Sequence, residues 1–194
     1  MPRKKRIWYP GARFHITSRG IRRTSLFHDA EDREKYLRLL AETKVLKPFV
    51  LQTYCLMTNH IHLQLETLHH PTSEIIKYLH TNYAKYFNRK YHFNGHVFES
   101  RYGSELIDSI EYELEVNRYI HLNPIRANMV KDLKDYKWSS YSDYIYSCKS
   151  SFVSTERIFT FFPEPKVDNY LKFLHAKEID AKKYPFEIPA KPNS

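Results

Sequence analysis

The hydrophobic pattern in the first half of the chain predicts strands. Residues 12–19 alternate loosely and are rich in β-formers, and residues 60–66 alternate strictly between polar and apolar positions. Residues 49–57 are almost continuously apolar, which fits a buried strand. The turn signal at Thr58 and Asn59 would join the last two strands as a hairpin.

Three other stretches repeat their apolar residues at helical spacing, and a further short strand is expected between the last two. Pro124 is expected to end the last helix. The resulting order, β-α-β-β-α-β-α, is that of the ferredoxin-like split βαβ. It predicts an α+β fold with a four-stranded antiparallel sheet and helices on one face. The helices are predicted at 29–46, 70–91 and 110–122, and the strand at 101–107.

The two ends of the chain differ from the domain expected over residues 12–146. Residues 1–11 form a basic arm that contains Arg3, Lys4, Lys5 and Arg6. Such dense positive charge fits either a solvated tail or a polyanionic partner. Residues 147–194 are expected to form a C-terminal extension that is partly helical. Its Pro-rich end predicts extended chain with a tendency to disorder.

Composition adds a candidate partner. The formal net charge is +9, and aromatic residues make up 15% of the chain. Positive charge together with many rings favours single-stranded nucleic acid, since phosphates meet cations and bases stack on aromatics. A basic protein with a Tyr-rich core is the alternative. Two cysteines make no disulfide framework, and no apolar stretch is long enough for a membrane span or a signal core. We therefore expect a cytoplasmic protein with no membrane partner.

Four residues suggest a catalytic site. His60 and His62 alternate with Ile61 on a predicted strand, so their imidazoles point to the same face. Tyr119 and Asn123 are four apart on a predicted helix, so they also share a face. If strand and helix meet, two nitrogens and one oxygen could hold a divalent metal beside a phenol.

Each of these residues also has a structural interpretation. Half-exposed histidines are common on sheets, and Asn123 could cap its helix before Pro124. Tyr119 follows Tyr112 and Val116 on one helical stripe, and such stripes often face a core. Tyr112 is the alternative candidate for a nucleophile.

Four sequence blocks carry a family resemblance: MTNHIHL at 57–63, GHVFESRYGS at 95–104, YIHLNPIRANMV at 119–130 and YKWSSY at 136–141. They resemble blocks of the single-tyrosine HUH transposases, and the closest group is the REP-associated tyrosine transposases. The similarity covers roughly residues 10–145. Thr58 stands where many relatives carry proline, a position that shapes a turn and leaves the proposed ligands intact.

The resemblance implies a mechanism for the domain at 12–146. His60, His62 and Asn123 would hold Mg²⁺ or Mn²⁺, and Tyr119 would attack a DNA phosphate to give a 5′-phosphotyrosine link. The implied substrate is single-stranded or hairpin DNA of repetitive palindromic elements. Monomer and homodimer both stay open.

Candidate DNA contacts are basic residues of the arm and of the motif blocks. Two other functions stay open from the sequence: a non-catalytic module that binds single-stranded nucleic acid, and a metallophosphodiesterase that uses water. The candidate contacts are Arg3, Lys4, Lys5, Arg6, Arg101 and Arg126.

Overall fold

A single antiparallel sheet organises the computed structural model, which describes residues 7–146 and 152–176. The strand order is β2-β3-β1-β4, so β3 lies between β1 and β2 as a split βαβ requires. The α+β fold class and the four-stranded antiparallel sheet are thus confirmed. The strands are β1 (Arg13–Arg19), β2 (Phe49–Leu56), β3 (His60–Thr67) and β4 (Gly103–Ile107).

Two long helices cover the apolar face of this sheet. They are α1 (Ala30–Leu46) and α2 (Thr72–Tyr91), and their buried residues join one hydrophobic core with Ile61, Leu63 and Leu65 of β3. Alternation along β3 sends these three side chains to one face and the histidines to the other. The apolar face therefore contributes packing, and the opposite face is left for polar groups.

Helix α3 (Ile110–Arg126) packs on that opposite face, so the expectation that the helices share one face is wrong for this element. The side chain of Gln64 donates a hydrogen bond to the Glu113 carbonyl at 3.1 Å, and Asn117 donates to Thr53. The physical reason is that the polar side chains of this face are buried and need hydrogen-bond partners, which α3 supplies.

Helix α3 also continues through Pro124, which was expected to end it. Proline lacks a backbone N–H and removes one hydrogen bond. Here the loss falls in the last turn, where the Ala127 N–H still bonds to the Asn123 carbonyl at 2.9 Å and the Met129 N–H to the Pro124 carbonyl at 2.9 Å. Asn123 therefore lies inside the helix and is not its C-terminal cap.

The described part of the predicted extension is helical and packs on the domain. Arg157 of α5 (Glu156–Phe159) bonds to the buried Glu113 carboxylate, and Tyr170 of α6 (Lys166–His175) contacts His121 of α3 at 2.6 Å. Another short helix, α4 (Tyr141–Ile145), precedes them.

The boundaries between arm, domain and extension stay predictions. Arg3, Lys4, Lys5 and Arg6 of the arm, and the Pro-rich end beyond residue 176, lie outside the described residues. Among the helices of the described ranges, none has the length and apolar character needed to cross a membrane.

Candidate active site

The two histidines of the motif meet at the start of β3. Their ring centroids are 5.0 Å apart, and the two ring planes are nearly perpendicular. In each ring the Nδ1 atom has a hydrogen-bond partner: the Asn59 side-chain oxygen lies 2.7 Å from His60 Nδ1, and His15 Nε2 lies 3.0 Å from His62 Nδ1. The Nε2 atoms are therefore the ones available for a ligand.

The Nε2 atom of His62 is buried without a hydrogen-bond partner among the described residues. Burial, as the largest cause, lowers the pKa of His60 to about 4 and holds that of His62 well below its usual range; the positive charge of Arg19 acts in the same direction on both. Both imidazoles are thus neutral at pH 7, and a neutral imidazole nitrogen with an unused lone pair is a metal ligand.

Helix α3 brings Tyr119 to this histidine pair. The Tyr119 ring centroid lies 5.3 Å from that of His62 and 5.9 Å from that of His15. The guanidinium of Arg126 lies 5.4 Å from the Tyr119 ring centroid, within the range of a cation–π contact. Within residues 7–146 and 152–176 the Tyr119 hydroxyl makes no hydrogen bond, which leaves it available for chemistry.

Tyr112, the alternative nucleophile, is engaged elsewhere. Its hydroxyl donates a hydrogen bond to a Glu105 carboxylate oxygen at 2.7 Å. Burial, followed by that bond, raises the pKa of Tyr112, and both make its phenol harder to ionise. The geometry thus favours Tyr119 over Tyr112 as nucleophile.

Asn123 lies one turn beyond Tyr119 and is buried, at 8% exposure. Its side-chain nitrogen donates to the Tyr119 carbonyl at 2.8 Å, which leaves the amide oxygen as an acceptor. It makes no hydrogen bond with either histidine among the described residues. No three His, Cys, Asp or Glu side chains of the described chain are arranged to hold a metal ion. Within the described chain, a third ligand beside the two histidines would be of another type, and an amide oxygen qualifies.

The sequence analysis did not identify His15 and Glu105. His15 faces Glu105 across the β1–β4 pair, and the His15 Nδ1 lies 3.8 Å from the carboxylate. The neighbouring His15, as the largest cause, lowers the pKa of Glu105 to about 2. The alternation of residues 12–19 places His15 on one strand face, but only the register of β1 against β3 shows that it meets His62.

Exposed arginines surround the histidine end of the sheet. Arg101 precedes β4, whose first residue pairs with β1 opposite His62. Arg19 is the register partner of His60, and the turn after it carries Arg22 and Arg23 with φ of 49° and 61°. In the described ranges Arg19, Arg22, Arg23 and Arg101 form no ion pair with an acidic side chain.

The arginine turn is tied to the histidine pair through Asn59. The Asn59 amide nitrogen donates to the Arg23 carbonyl at 3.1 Å, and its oxygen accepts from His60. Left-handed backbone at two successive arginines is strained, and such strain often occurs at functional sites. Sequence reasoning missed this turn because its shape depends on tertiary contacts.

Comparison with known proteins identifies the family. The model of the family described as "Transposase IS200 like" matches residues 9–123, a segment that contains His60, His62, Tyr119 and Asn123. No curated protein matches the chain. The structure of a REP-associated tyrosine transposase bound to a REP hairpin superposes with a TM-score of 0.65 at 15% identity, covering 79% of this chain and 91% of that one.

A candidate transposase from Deinococcus radiodurans is also similar, with a TM-score of 0.43 at 15% identity, covering 70% of this chain and 98% of that one. The first of these two structures establishes the shared fold. The family model covers more than half of the chain, from the end of the N-terminal arm to Asn123. The chain therefore belongs to the IS200-like family of DNA transposases.

Proposed function

We propose that this protein nicks and rejoins single-stranded or hairpin DNA through a covalent link to Tyr119. The observation that carries the proposal is the contact between the Tyr119 ring and His62, whose buried Nε2 atom has no partner among the described residues. A reactive phenol beside an unsatisfied metal-ligand nitrogen is the arrangement that phosphodiester cleavage by tyrosine needs.

His60, His62 and Asn123 would hold one Mg²⁺ or Mn²⁺ ion. The fit rests on two neutral imidazoles, each with its Nδ1 engaged, and on an amide oxygen left as an acceptor. When bound, the ion would supply Lewis acidity and orientation to the scissile phosphate. A mixed nitrogen and oxygen donor set also suits these cations better than a thiolate site would.

Tyr119 forms the covalent bond. Its phenol oxygen attacks phosphorus, the bond from phosphorus to the 3′ oxygen breaks, and the phenol proton is lost while the leaving oxygen gains one. The guanidinium of Arg126, 5.4 Å from the Tyr119 ring centroid, would help to hold the phosphate near the phenol oxygen. The resulting 5′-phosphotyrosine retains the bond energy, so another 3′-hydroxyl can reverse the step and join a new strand.

DNA would reach the site across the arginines at the histidine end of the sheet. Arg101 and Arg126 were expected to contact DNA, and Arg19, Arg22 and Arg23 extend that set. Arg19, Arg22, Arg23 and Arg101 are exposed and form no ion pair with an acidic side chain in the described ranges, and such arginines bind backbone phosphates. The structural neighbour with the same fold was solved on a REP hairpin. By analogy, hairpin DNA is our first choice of substrate, and the basic arm with Arg3 to Arg6 stays a further candidate contact.

A covalent-adduct assay tests the proposal. The full chain is incubated with Mn²⁺ and single-stranded oligonucleotides that carry a stem-loop with randomised flanks. Products are then separated on a denaturing gel. We expect a protein–DNA adduct that Tyr119→Phe reduces by at least about a thousandfold, because the nucleophile is gone. Tyr146→Phe, at an exposed tyrosine remote in sequence, is the matched control and should retain the adduct.

Two results would contradict the proposal. Cleavage that survives in Tyr119→Phe would indicate a phosphodiesterase that uses water. Binding by the wild-type protein without any cleavage of the library would indicate a non-catalytic nucleic-acid-binding module.

A further inference from the structure

We propose that His15 and Glu105 form a relay behind His62 that fixes which nitrogen this histidine presents to the metal. The proposal rests on the proposed function, since it takes His62 as a metal ligand. His15 would act as a positioning residue, because it contacts the ligand and not the reacting atoms.

The strand register builds the relay. His15 and Glu105 are direct partners in the β1–β4 pair, and His15 lies on the same face as His62 in the β1–β3 pair. The rings of His15 and His62 stack with centroids 5.3 Å apart and planes 19° apart. The atoms that meet are His15 Nε2 and His62 Nδ1, at 3.0 Å. His15 is therefore not available as a third ligand through this nitrogen.

The position of the protons follows from the carboxylate. A hydrogen bond between two imidazoles needs one N–H and one lone pair. The Glu105 carboxylate lies 3.8 Å from His15 Nδ1, and its negative charge favours a proton on that nitrogen. His15 Nε2 then accepts from His62 Nδ1–H, and the lone pair of His62 is left on Nε2.

The opposite proton arrangement is disfavoured by burial. If His15 donated to His62, the His62 Nε2 atom would carry a proton in a buried place where the described chain offers no acceptor. A buried donor without a partner is destabilised. The relay avoids this by leaving a lone pair at that point, which a cation can use.

Glu105 is held in place by the helix that carries the nucleophile. Tyr112, in the first turn of α3, donates to the carboxylate at 2.7 Å. The relay thus connects three strands and α3 through consecutive polar contacts. His60 has a shorter arrangement, in which the Asn59 side-chain oxygen takes the Nδ1 proton. Both histidines would then present Nε2 to one ion.

Metal affinity provides the first test. Partners behind a metal-binding histidine orient it and raise its basicity, and their loss typically costs about 10- to 100-fold in affinity. We expect His15→Phe to weaken Mn²⁺ binding to the full chain by that factor, measured by electron paramagnetic resonance. Glu105→Gln should weaken it less, because the amide still occupies the place but lacks the charge. His15→Gln should restore part of the affinity, since its amide oxygen can accept the proton of His62.

A control and a second measurement separate this role from a structural one. His80→Phe removes a histidine of α2 that contacts Tyr36 and Phe98, so it should leave Mn²⁺ affinity unchanged. Nitrogen-15 spectra of the metal-free wild-type protein report the tautomer of each histidine directly. The relay requires the proton of His62 on Nδ1, and an Nε2–H tautomer would overturn it.

The tautomer spectrum also separates the relay from the proposed function. Wild-type protein with His62 protonated on Nδ1 but without Mn²⁺ binding would uphold the relay and count against the metal-dependent reaction. Unchanged Mn²⁺ affinity in both His15→Phe and Glu105→Gln would overturn the relay while leaving the reaction standing.

Discussion

Helix α3 carries two polar stripes whose surroundings differ. Glu113, Asn117 and His121 recur every fourth residue and are fully buried, and Tyr119 and Asn123 form the second stripe. The first stripe has a partner for each polar side chain. The second leaves the Tyr119 hydroxyl and the Asn123 amide oxygen without one among the described residues. The Tyr119 ring contacts His62, whose Nε2 atom is buried without a partner there.

The C-terminal helices cover the first stripe and donate or accept hydrogen bonds with its side chains, and we call it the closed stripe. Asn117 contacts Thr53, Tyr144 and Tyr170, and His121 lies between Tyr170 and Ser140 at 2.6 Å and 2.9 Å. Buried polar networks in which every member is paired fix one arrangement of the elements they join. We interpret this stripe as the device that holds α3 at a defined position on the sheet.

The proposed function gives the second stripe a use for that position. A buried polar atom without a partner is costly, and a folded protein retains one where a ligand or a reaction uses it. His62 Nε2 is such an atom, and α3 places Tyr119 beside it. If the proposed function holds, the same helix provides stability on one side and the nucleophile on the other.

The largest expected effect on stability comes from removing the arginine partner of the buried carboxylate in the closed stripe. Arg157→Met removes the bidentate partner of Glu113, whose carboxylate is fully buried. Breaking a buried ion pair leaves an uncompensated charge, so we expect a loss of about 3 kcal/mol in unfolding free energy. Urea denaturation measures it. Arg38→Met, at an exposed position on α1, should cost less than about 0.5 kcal/mol.

A loss below about 1 kcal/mol in Arg157→Met would contradict this reading of the closed stripe. It would mean that Arg13, which lies 3.6 Å from the same carboxylate, compensates the charge alone.

A smaller effect is expected from the pH dependence of His121. Burial lowers the pKa of His121 to about 3 from 6.5, so the unfolded chain binds a proton in that interval and the folded one does not. Stability from this residue is therefore complete above pH 6.5 and is lost as the pH falls. Linkage gives a loss of about 2 kcal/mol between pH 7 and pH 5.

His121→Gln should remove that loss, so its unfolding free energy should fall less steeply between pH 7 and pH 5 than that of the wild type. The two proteins should show parallel curves above pH 7. Equal pH dependence of the two unfolding free energies would show that His121 is protonated in the folded state. It would contradict the description of the first stripe as buried and fully paired.

Features of the fold and of the site could be predicted from the sequence where residues close together along the chain determine them. The strands, the pairing of His60 with His62 and the i,i+4 pair on α3 follow local periodicity, and the chain itself displays it. Pro124 misled because a local rule about helix ends ignored the hydrogen bonds that residues after it still make. The face on which α3 packs is set by tertiary contacts.

The partners of the site residues could not be predicted for a related reason. His15 meets His62 only through the register between β1 and β3, and a shift of one residue would turn His15 to the other face. The paired stripe depends on where the C-terminal helices lie. A candidate nucleophile could thus be named from sequence, whereas the groups that orient its metal site could not.

The smallest effect concerns the arginine turn at the histidine end of the sheet. The arginines that contact the closed stripe form ion pairs with its carboxylate. Arg22 and Arg23 have no acidic partner in the described ranges. Replacing both with Ala should reduce the salt dependence of single-stranded DNA binding, with the logarithmic slope falling by about 1.4. Fluorescence anisotropy at several salt concentrations measures it. Lys77→Ala with Lys85→Ala, exposed on α2 on the far face, should change the slope less.

Identification of the DNA-linked residue tests directly whether Tyr119 is the nucleophile. The adduct formed with Mn²⁺ and stem-loop DNA is digested with protease and nuclease, and the modified peptide is sequenced by mass spectrometry. We expect a phosphonucleotide on the phenol oxygen of Tyr119. A link at Tyr112 or at any other residue, or cleavage products without a modified peptide, would contradict it.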